Sequence, residues 1–460
     1  MLHNCPVKAI EDYVASLGLD AYLVGGAVRD ELLGRDSKDA DFLVPGLDSD
    51  GLRAVLAPHG RVEELVVAGR AVGLRLFPRD REIRVLAPAG IEFAPPRRER
   101  STGPGRHDFE IVVDPAAGVA DDLERRDFTI NAMARRLADG TLVDPFGGRD
   151  DLESGILRTV TPRSFAEDPL RLVRGLRFVA QLGLDPDETT LAQMHEEAGS
   201  VALVSGERIG GGLSADGMGE LSKLLLGRTP GKALRLARDT GVLVALLPEF
   251  GPAIGFDPAS RDHDLTLDEH VFAVVQATAN EGFPLRVRLA ALFHDLGKPL
   301  PLVADHAAAG AEIAAAALRR LRYPTGLGAR VARIVRFHPF LLGRGDALEA
   351  RRLLARHGDG LAFDLLDHWR ADLLGRNQHE GVERKLERLR AFRAVVEHEL
   401  TSPHRLSDLA IDGSDLIGLG YRPGPGLGRA LAGLLQEVVD EPRLNRRDTL
   451  LARAEELLEA

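Results

Sequence analysis

The chain has 460 residues, 28% of them charged and 44% hydrophobic, with a formal net charge of −11 at pH 7. That length predicts roughly two to four domains around a sizeable core, and the balance is globular rather than disordered or fibrous. No run of about 18 uncharged apolar residues occurs, and the N-terminus lacks a signal peptide's basic start and apolar core, so neither a spanning helix nor export is expected. One cysteine, Cys5, excludes an internal disulfide and points to a reducing, cytoplasmic compartment. An acidic chain is repelled by RNA, so any RNA contact requires local basic patches. Arg97, Arg98 and Arg100, then Arg125 and Arg126, then Arg171, Arg174 and Arg177 supply them.

In chain order, strand-like runs are confined to the first third: Ala21–Val24, Phe42–Val44, Val72–Leu76, Ile83–Leu86 and Ile111–Val113. Beyond about residue 150, apolar residues recur at the helical period. The pattern predicts an α+β head followed by an all-helical body. Breaks fall near Thr161-Pro162, Phe256-Asp257-Pro258 and Thr401-Ser402-Pro403. The alanine-rich run 307–317 is expected to be a helix, alanine being the best helix former.

The strand ending at Leu23-Val24 runs into Gly25-Gly26-Ala27-Val28-Arg29-Asp30. Paired glycines let the backbone approach a ligand closely, and their N–H groups can cradle phosphate oxygens. Nine residues later, Asp39 and Asp41 open the apolar run Phe42–Val44. Residues i and i+2 of a strand point the same way. Two carboxylates on one side, beside a phosphate cradle, suit Mg²⁺ and nucleotidyl transfer. A lone GG or a lone DxD would mean only a turn before a polar loop. Their order, spacing and strand flanks select the catalytic reading.

The segment GGAVRDELLGRDSKDADFLV, residues 25–44, resembles motif A of the class II tRNA nucleotidyltransferases, the CCA-adding enzymes and their poly(A) polymerase cousins. The other motifs follow in order: RRDFTINAMA at 125–134, DPFGGRDDL at 144–152, EDPLRLVRGLRF at 167–178 and a looser GERI…EL at 206–221. The resemblance covers nearly the whole chain. It implies an α+β N-terminal nucleotidyltransferase head with a small mixed sheet and helices, then an all-α body, an HD domain and a tail. The expected boundaries are 1–161, 162–255, 256–380 and 381–460.

The resemblance implies roles for residues already notable on chemical grounds. Glu92, in Ile91-Glu92-Phe93, lies where relatives place a third carboxylate, as metal ligand or general base. The stretch from Ala94 to about Arg106 is expected to be a basic loop that supports the switch from C to A addition. Arg125 and Arg126 can neutralise a triphosphate with forked guanidiniums. The stretch they open is expected to be helical. Asp127 and Asn131 then share a helix face and hydrogen-bond the ribose. Asp144-Pro145-Phe146-Gly147-Gly148 resembles the springy link from head to body. Asp168 and Arg171, on the exposed side of a helix from Glu167, offer an acceptor and a forked donor to the base edge. Arg174 continues that stripe, while Leu172, Val173, Leu176, Val179 and Ala180 face the core. Glu207-Arg208-Ile209 is expected to brace this helix, with residues 210–219 as an insertion.

The second constellation is His270, His294-Asp295, His306, His338 and Asp372. Imidazoles and carboxylates suit transition metals. His270, His294, Asp295 and Asp372 would hold one ion, and His306 with His338 a second. The order H…HD…H…H…D, with HDLGKP at 294–299, resembles HD-superfamily phosphohydrolases. His357 and His368 read as surface or packing residues. In the tail, Gly424-Pro425-Gly426 is expected to open a helix.

Together these features predict template-independent addition or repair of the 3′-terminal CCA of tRNA from CTP and ATP, with pyrophosphate released. Mg²⁺ serves the head and a divalent transition metal the HD site. The partners are tRNA, CTP and ATP, with no membrane. An A-only enzyme or a poly(A) polymerase is the alternative within the family. An HD phosphohydrolase with an RNA-binding head is the alternative from another class.

Overall fold

Short strands with glycines or acidic residues at their ends build the N-terminal sheet, and capped amphipathic helices build the rest. The computed structural model describes residues 6–37, 40–67, 70–101, 109–113, 116–211, 218–258, 265–300, 305–339, 342–376 and 380–459. The chain forms two compact units, Met1–Pro248 and Glu249–Ala460.

The first unit starts with α1 (Pro6–Ser16), β1 (Tyr22–Val24), α2 (Gly26–Leu32), β2 (Asp41–Leu43), α3 (Ser49–Leu56), β3 (Gly60–Val67), β4 (Arg70–Pro78), α4 (Arg81–Leu86) and β5 (Ile91–Ala94). It continues with β6 (Arg97–Ser101), β7 (Phe109–Val113), α5 (Val119–Glu124), β8 (Ala134–Arg136), β9 (Leu142–Val143) and α6 (Gly148–Ser154). A seven-stranded sheet runs in the order β3-β4-β5-β2-β1-β8-β9. It is mixed: β2 and β5 are parallel, and the other pairings are antiparallel. The apolar strand residues Leu23, Phe42, Leu74, Leu76 and Phe93 form its buried core, with the Phe42 and Phe93 rings stacked at 5.6 Å.

Two expectations fail here. Ile83–Leu86 is not a strand but part of α4. Asp80 accepts from the N–H groups of Glu82 and Ile83 at 2.9 and 3.2 Å, a cap that starts a helix. Helical geometry buries Ile83 and leaves Val85 exposed. The stretch after Ala94 is not simply a loop: β6 and β7 pair as an antiparallel ribbon with Arg97 opposite Val113. Ile111–Val113 is a strand as expected.

Helices follow: α7 (Ser164–Glu167), α8 (Leu170–Leu182), α9 (Glu188–Glu197), α10 (Glu220–Leu225), α11 (Pro230–Asp239) and α12 (Val242–Leu246). The apolar stripe expected on α8 is fully buried. Phe178 and Phe165 meet Phe128 edge-on at 5.7 and 6.2 Å, which ties α8 to the segment carrying Arg125 and Arg126.

The second unit contains α13 (Leu267–Asn280), α14 (Leu285–Phe293), α15 (His306–Arg320), α16 (Thr325–Phe337), α17 (Ala347–His357), α18 (Asp359–Leu374) and α19 (Glu380–Glu399). α13 packs on α14 and α18, and α14 packs on α15, α16 and α18. The alanine run forms α15, where small side chains let α16 pack closely. The tail is α20 (Gly413–Gly418), α21 (Pro425–Asp440) and α22 (Arg447–Glu459), closed around Leu416, Leu434, Val438, Leu450 and Ala454.

Candidate active site

Parallel pairing of β2 with β5 sets Asp41 directly opposite Glu92. Both border a cavity of about 470 Å³, together with Arg97, Asp122, Arg125 and Arg126. Glu92 is engaged by Arg75, whose Nε donates to it at 3.2 Å. Asp39 lies outside the described residues.

Gly25 acts differently from the expected phosphate cradle. Gly25 has φ 71°, which favours glycine. Its N–H donates to the Met133 carbonyl at 3.1 Å, so it is not open to a phosphate. A Cβ there would collide with the Arg126 guanidinium. The missing side chain makes room for an arginine.

The segment 125–131 is not a helix, because α5 ends at Glu124. The Asp127 carbonyl accepts from Val160 N–H, Thr129 N–H donates to the Arg158 carbonyl, and Phe128 bridges Thr159. Pairing with residues 158–160 draws the backbone straight before a 3₁₀ turn at Thr129–Asn131. The Asp127–Asn131 pair nevertheless forms, with Asn131 Nδ2 donating to Asp127 Oδ1 at 3.0 Å.

That pair is the middle of a longer path. Arg29 Nη1 on α2 donates to Asn131 Oδ1 at 2.6 Å. Arg174 Nε on α8 donates to Asp127 Oδ2 at 2.8 Å. Arg174 also reaches Glu220 at 3.7 Å, and Arg177 Nε donates to Glu220 at 2.5 Å. Burial alone would raise the Asp127 carboxyl. The Arg174 charge and the Asn131 and Arg174 hydrogen bonds outweigh it and hold its pKa far below the usual carboxylate range. Asp127 in turn drives the Arg174 pKa up.

Asp168 and Arg171 are not an exposed pair on one helix. Pro169 caps α8, so Asp168 precedes the helix. Both side chains are mostly buried, 16% and 11% exposed. Asp168 is clasped by Arg208, Nη1 to Oδ1 at 3.1 Å and Nη2 to Oδ2 at 2.8 Å. Arg171 donates to the backbone carbonyls of Ser164 at 3.3 Å and Arg125 at 2.7 Å. Arg208 therefore does brace this region, by a bidentate bond to Asp168. The insertion expected at 210–219 falls largely outside the described residues.

In the second unit the histidines and aspartates converge from four helices and the turn after α14. That turn, His294–Lys298, follows the buried end of α14. His270 Nε2 lies 3.1 Å from Asp372 and 3.3 Å from His294 Nε2. His294 Nε2 lies 3.2 Å from Asp295 Oδ2, and His338 Nε2 lies 3.3 Å from Oδ1. His306 lies 3.7 Å from the same Oδ1. The Nδ1 atoms of His294 and His338 face the carbonyls of Ala291 and Val335 at 2.8 and 2.7 Å, which leaves each Nε2 as the ligand atom. Two triads, His270–His294–Asp295 and Asp295–His306–His338, have ligand atoms within 4.8 Å of one another. Two imidazoles and a shared carboxylate per triad could hold a pair of divalent ions. Lys298 at 2.6 Å from Asp295 and Arg376 at 2.6 Å from Asp372 complete the charge balance. Burial would raise the Asp295 and Asp372 carboxyls, yet histidine and basic neighbours hold both well below the usual range.

His368 was read as a surface or packing residue. It is fully buried, and its ring centroid lies 5.2 Å from that of His294 and 5.8 Å from that of His338. Neither ring nitrogen has a hydrogen-bond partner among the described residues. The available signal was spacing: His368 stands four residues before Asp372, on one face of α18. Asp122, which has no sequence-predicted role, sits at helical spacing from Arg125 and Arg126, and Glu220, in the GERI…EL motif, meets Arg177 by long-range contact.

Residues 21–158 match the poly A polymerase head domain, residues 183–254 match a probable RNA- and SrmB-binding site of polymerase A, and residues 265–364 match the HD domain. The multifunctional CCA protein of Neisseria gonorrhoeae (strain NCCP11945) is 36% identical over 330 residues, 70% of this chain and 74% of the relative. The chain belongs to the multifunctional CCA protein family. The relative of the same description in Ralstonia nicotianae is 35% identical over 74% of this chain and 76% of its own length. The fold agrees with that of the Bacillus stearothermophilus CCA-adding enzyme in complex with CTP, at TM-score 0.69 and 23% identity over 99% of this chain and 98% of that one. It also agrees with the Thermotoga maritima CCA-adding enzyme complexed with tRNA, at TM-score 0.58 and 21% identity over 98% and 94%. Among the described residues no helix is long and apolar enough to cross a membrane.

Proposed function

We propose that the chain builds or repairs the 3′-terminal CCA of tRNA from CTP and ATP, without a nucleic-acid template, and releases pyrophosphate. The observation that carries this reading is one cavity bordered by the level pair Asp41 and Glu92 and by Arg125 and Arg126. Carboxylates on one wall and guanidiniums on another suit a magnesium-bound triphosphate. Asp39 and Asp41 would hold Mg²⁺, whose chemistry there is to activate the primer 3′-hydroxyl and neutralise the phosphates. Glu92 is the third carboxylate of that edge. Arg125 and Arg126 bind and neutralise the triphosphate, which is attacked in line at its α-phosphorus. Asn131 and Asp127 bind the ribose.

Asp168 and Arg171 read the base edge, with Arg208 fixing the first and Arg174 flanking the second. A site that hydrogen-bonds a base rejects one that leaves its buried groups unpaired. The acidic surface makes local clusters such as these arginines the contact points for RNA. The four expected segments, 1–161, 162–255, 256–380 and 381–460, serve as head, neck, hydrolase and tail.

The test offers labelled CTP and ATP, separately and together, to tRNAs that end before, within and after the CC. The expected products are CC from CTP alone, A only on a CC end, and CCA from both. Runs of A on any end would contradict the reading.

The second-unit site supports a separate activity, hydrolysis of phosphate monoesters or 2′,3′-cyclic phosphates. His270, His294, Asp295 and Asp372 would hold one divalent transition ion, and His306, His338 and the shared Asp295 a second. Their chemistry is Lewis-acid activation of water and phosphate. Lys298 neutralises the excess charge of Asp295. Protein loaded with Ni²⁺, Co²⁺ or Mn²⁺ should hydrolyse 2′,3′-cyclic AMP or a chromogenic phosphodiester. No turnover with any of the three would contradict this activity.

A further inference from the structure

Asp122 lies on the last turn of α5 and has no assigned role. Its side chain is fully buried, although it borders the cavity that holds Asp41 and Glu92. Each of its oxygens takes one arginine. Arg125 Nε donates to Oδ1 at 2.9 Å with Nη2 at 2.8 Å, and Arg126 Nη2 lies 3.3 Å from Oδ2. The helical spacing i, i+3 and i, i+4 makes the sharing possible.

A buried carboxylate beside a triphosphate site cannot serve as a phosphate ligand, because like charges repel. Wrapped by two guanidiniums, it is a poor cation ligand as well. Its chemistry suits one task, which is to hold arginines. Two adjacent arginines repel each other, and each side chain carries about 2 kcal/mol of rotamer entropy. A carboxylate between them removes both obstacles. It fixes one edge of each guanidinium and so the direction of the other. Gly25 contributes from the opposite side: a Cβ there would overlap Arg126 Nη1, so the arginine holds its present position only while that side chain is missing. Burial raises the carboxyl, but Arg125, Arg126 and then Arg97 lower it further, so Asp122 stays charged. Arg97 opens the β6–β7 ribbon, so its charge acts on the same group.

We propose that Asp122 is the positioning residue of the nucleotide site, holding Arg125 and Arg126 in the orientation that receives the triphosphate. It rests on the assignment of those two arginines to the triphosphate. Substrate affinity, rather than the chemical step or tRNA binding, is what it controls.

The experiment compares Asp122→Asn, which keeps the shape and loses the charge, with Asp122→Ala, Arg125→Ala and Arg126→Ala in the full-length protein. KM for CTP and for ATP should rise about ten- to a hundredfold in Asp122→Asn, the penalty expected for a misplaced binding group. Inhibition by pyrophosphate should weaken in proportion. The kcat at saturating nucleotide and the Kd for tRNA should hold. Added formate should recover part of the lost affinity in Asp122→Ala, which a role in folding alone would not allow. If Asp122→Ala does not fold, Asp122→Asn carries the test. Unchanged KM and pyrophosphate inhibition in Asp122→Asn, while the arginine variants raise KM, would overturn the proposal and leave the arginine assignment standing. If the arginine variants also leave KM unchanged, the assignment and the proposal both fall.

Discussion

The two candidate sites hold charge in opposite ways. In the N-terminal unit, arginines and carboxylates alternate along a path from Arg29 through Asn131, Asp127 and Arg174 to Glu220 and Arg177. Both carboxylates on that path, Asp127 and Glu220, are matched by guanidiniums. In the C-terminal unit, imidazoles and carboxylates meet one another, with Lys298 and Arg376 each attached to one aspartate. The first arrangement prepares a positive, forked surface for an anion. The second gathers neutral and negative donors for cations. One chain thus carries two preparations for phosphate chemistry, one made by its own cations and one that borrows them.

That contrast makes distinct demands on substitution. The largest effect is expected at Asp295, the carboxylate common to both triads. Asp295→Ala should remove both ions, because it takes the shared carboxylate from each set and leaves three ligands for one ion and two for the other. Metal content after dialysis, by mass spectrometry, should fall to background with hydrolysis lost and CCA addition intact. Retention of one ion per chain would show that the triads are independent of Asp295.

Asp127→Asn should come next. It removes the closer charged partner of the half-buried Arg174 and leaves Glu220 at 3.7 Å, and the loss at the buried Asp127 carboxyl should cost on the order of 1–3 kcal/mol. Thermal unfolding of the N-terminal unit should shift down sharply, and nucleotide incorporation should fall with it. Unfolding of the C-terminal unit should stay where it was. A shift in both units would break the comparison.

Arg208→Ala should act more gently, on choice rather than rate. Without its clasp Asp168 gains freedom, and UTP or GTP should enter at several to about tenfold higher frequency, the scale of one hydrogen-bond energy. Unchanged discrimination among the four nucleotides would place base reading elsewhere.

The smallest effect concerns His357, which packs on Phe337 at 4.7 Å between ring centroids. Burial, with Arg356 and Arg333 nearby, lowers its pKa to about 4 from the ordinary 6.5. The unfolded chain therefore binds the extra proton first. Stability from this group is complete above 6.5 and is lost as the pH falls toward 4. His357→Phe should flatten the stability of the C-terminal unit across that window, as read by denaturant midpoints at successive pH values.

Much of this was legible in the sequence where chemistry is local. Asp41 and Glu92 stand at strand ends, His294-Asp295 follows the apolar end of a helix and precedes a helix stop, and the α8 stripe has helical period. The failures are instructive. Ile83 and Val85 are β-branched and suggest a strand, but the Asp80 cap decides for a helix. Arg125–Asn131 has helical spacing, but pairing with residues 158–160 straightens it, and that partner lies thirty residues away. The ribbon beginning at Arg97 carries charges where a strand normally shows an apolar face. His368 lies outside any motif; its spacing to Asp372 places it on that face of α18, and tertiary packing sets its ring against His294 and His338.

The most direct measurement is a crossed assay. Asp41→Ala and His294→Ala, both verified as folded, are each tested for CCA addition with Mg²⁺ and for metal-dependent phosphate-ester hydrolysis. Asp41→Ala should lose addition by about a thousandfold or more, the several kcal/mol that metal chemistry supplies, and keep hydrolysis. His294→Ala should do the reverse. If either substitution silences both activities, the two charge arrangements are not separate active sites and the account is wrong.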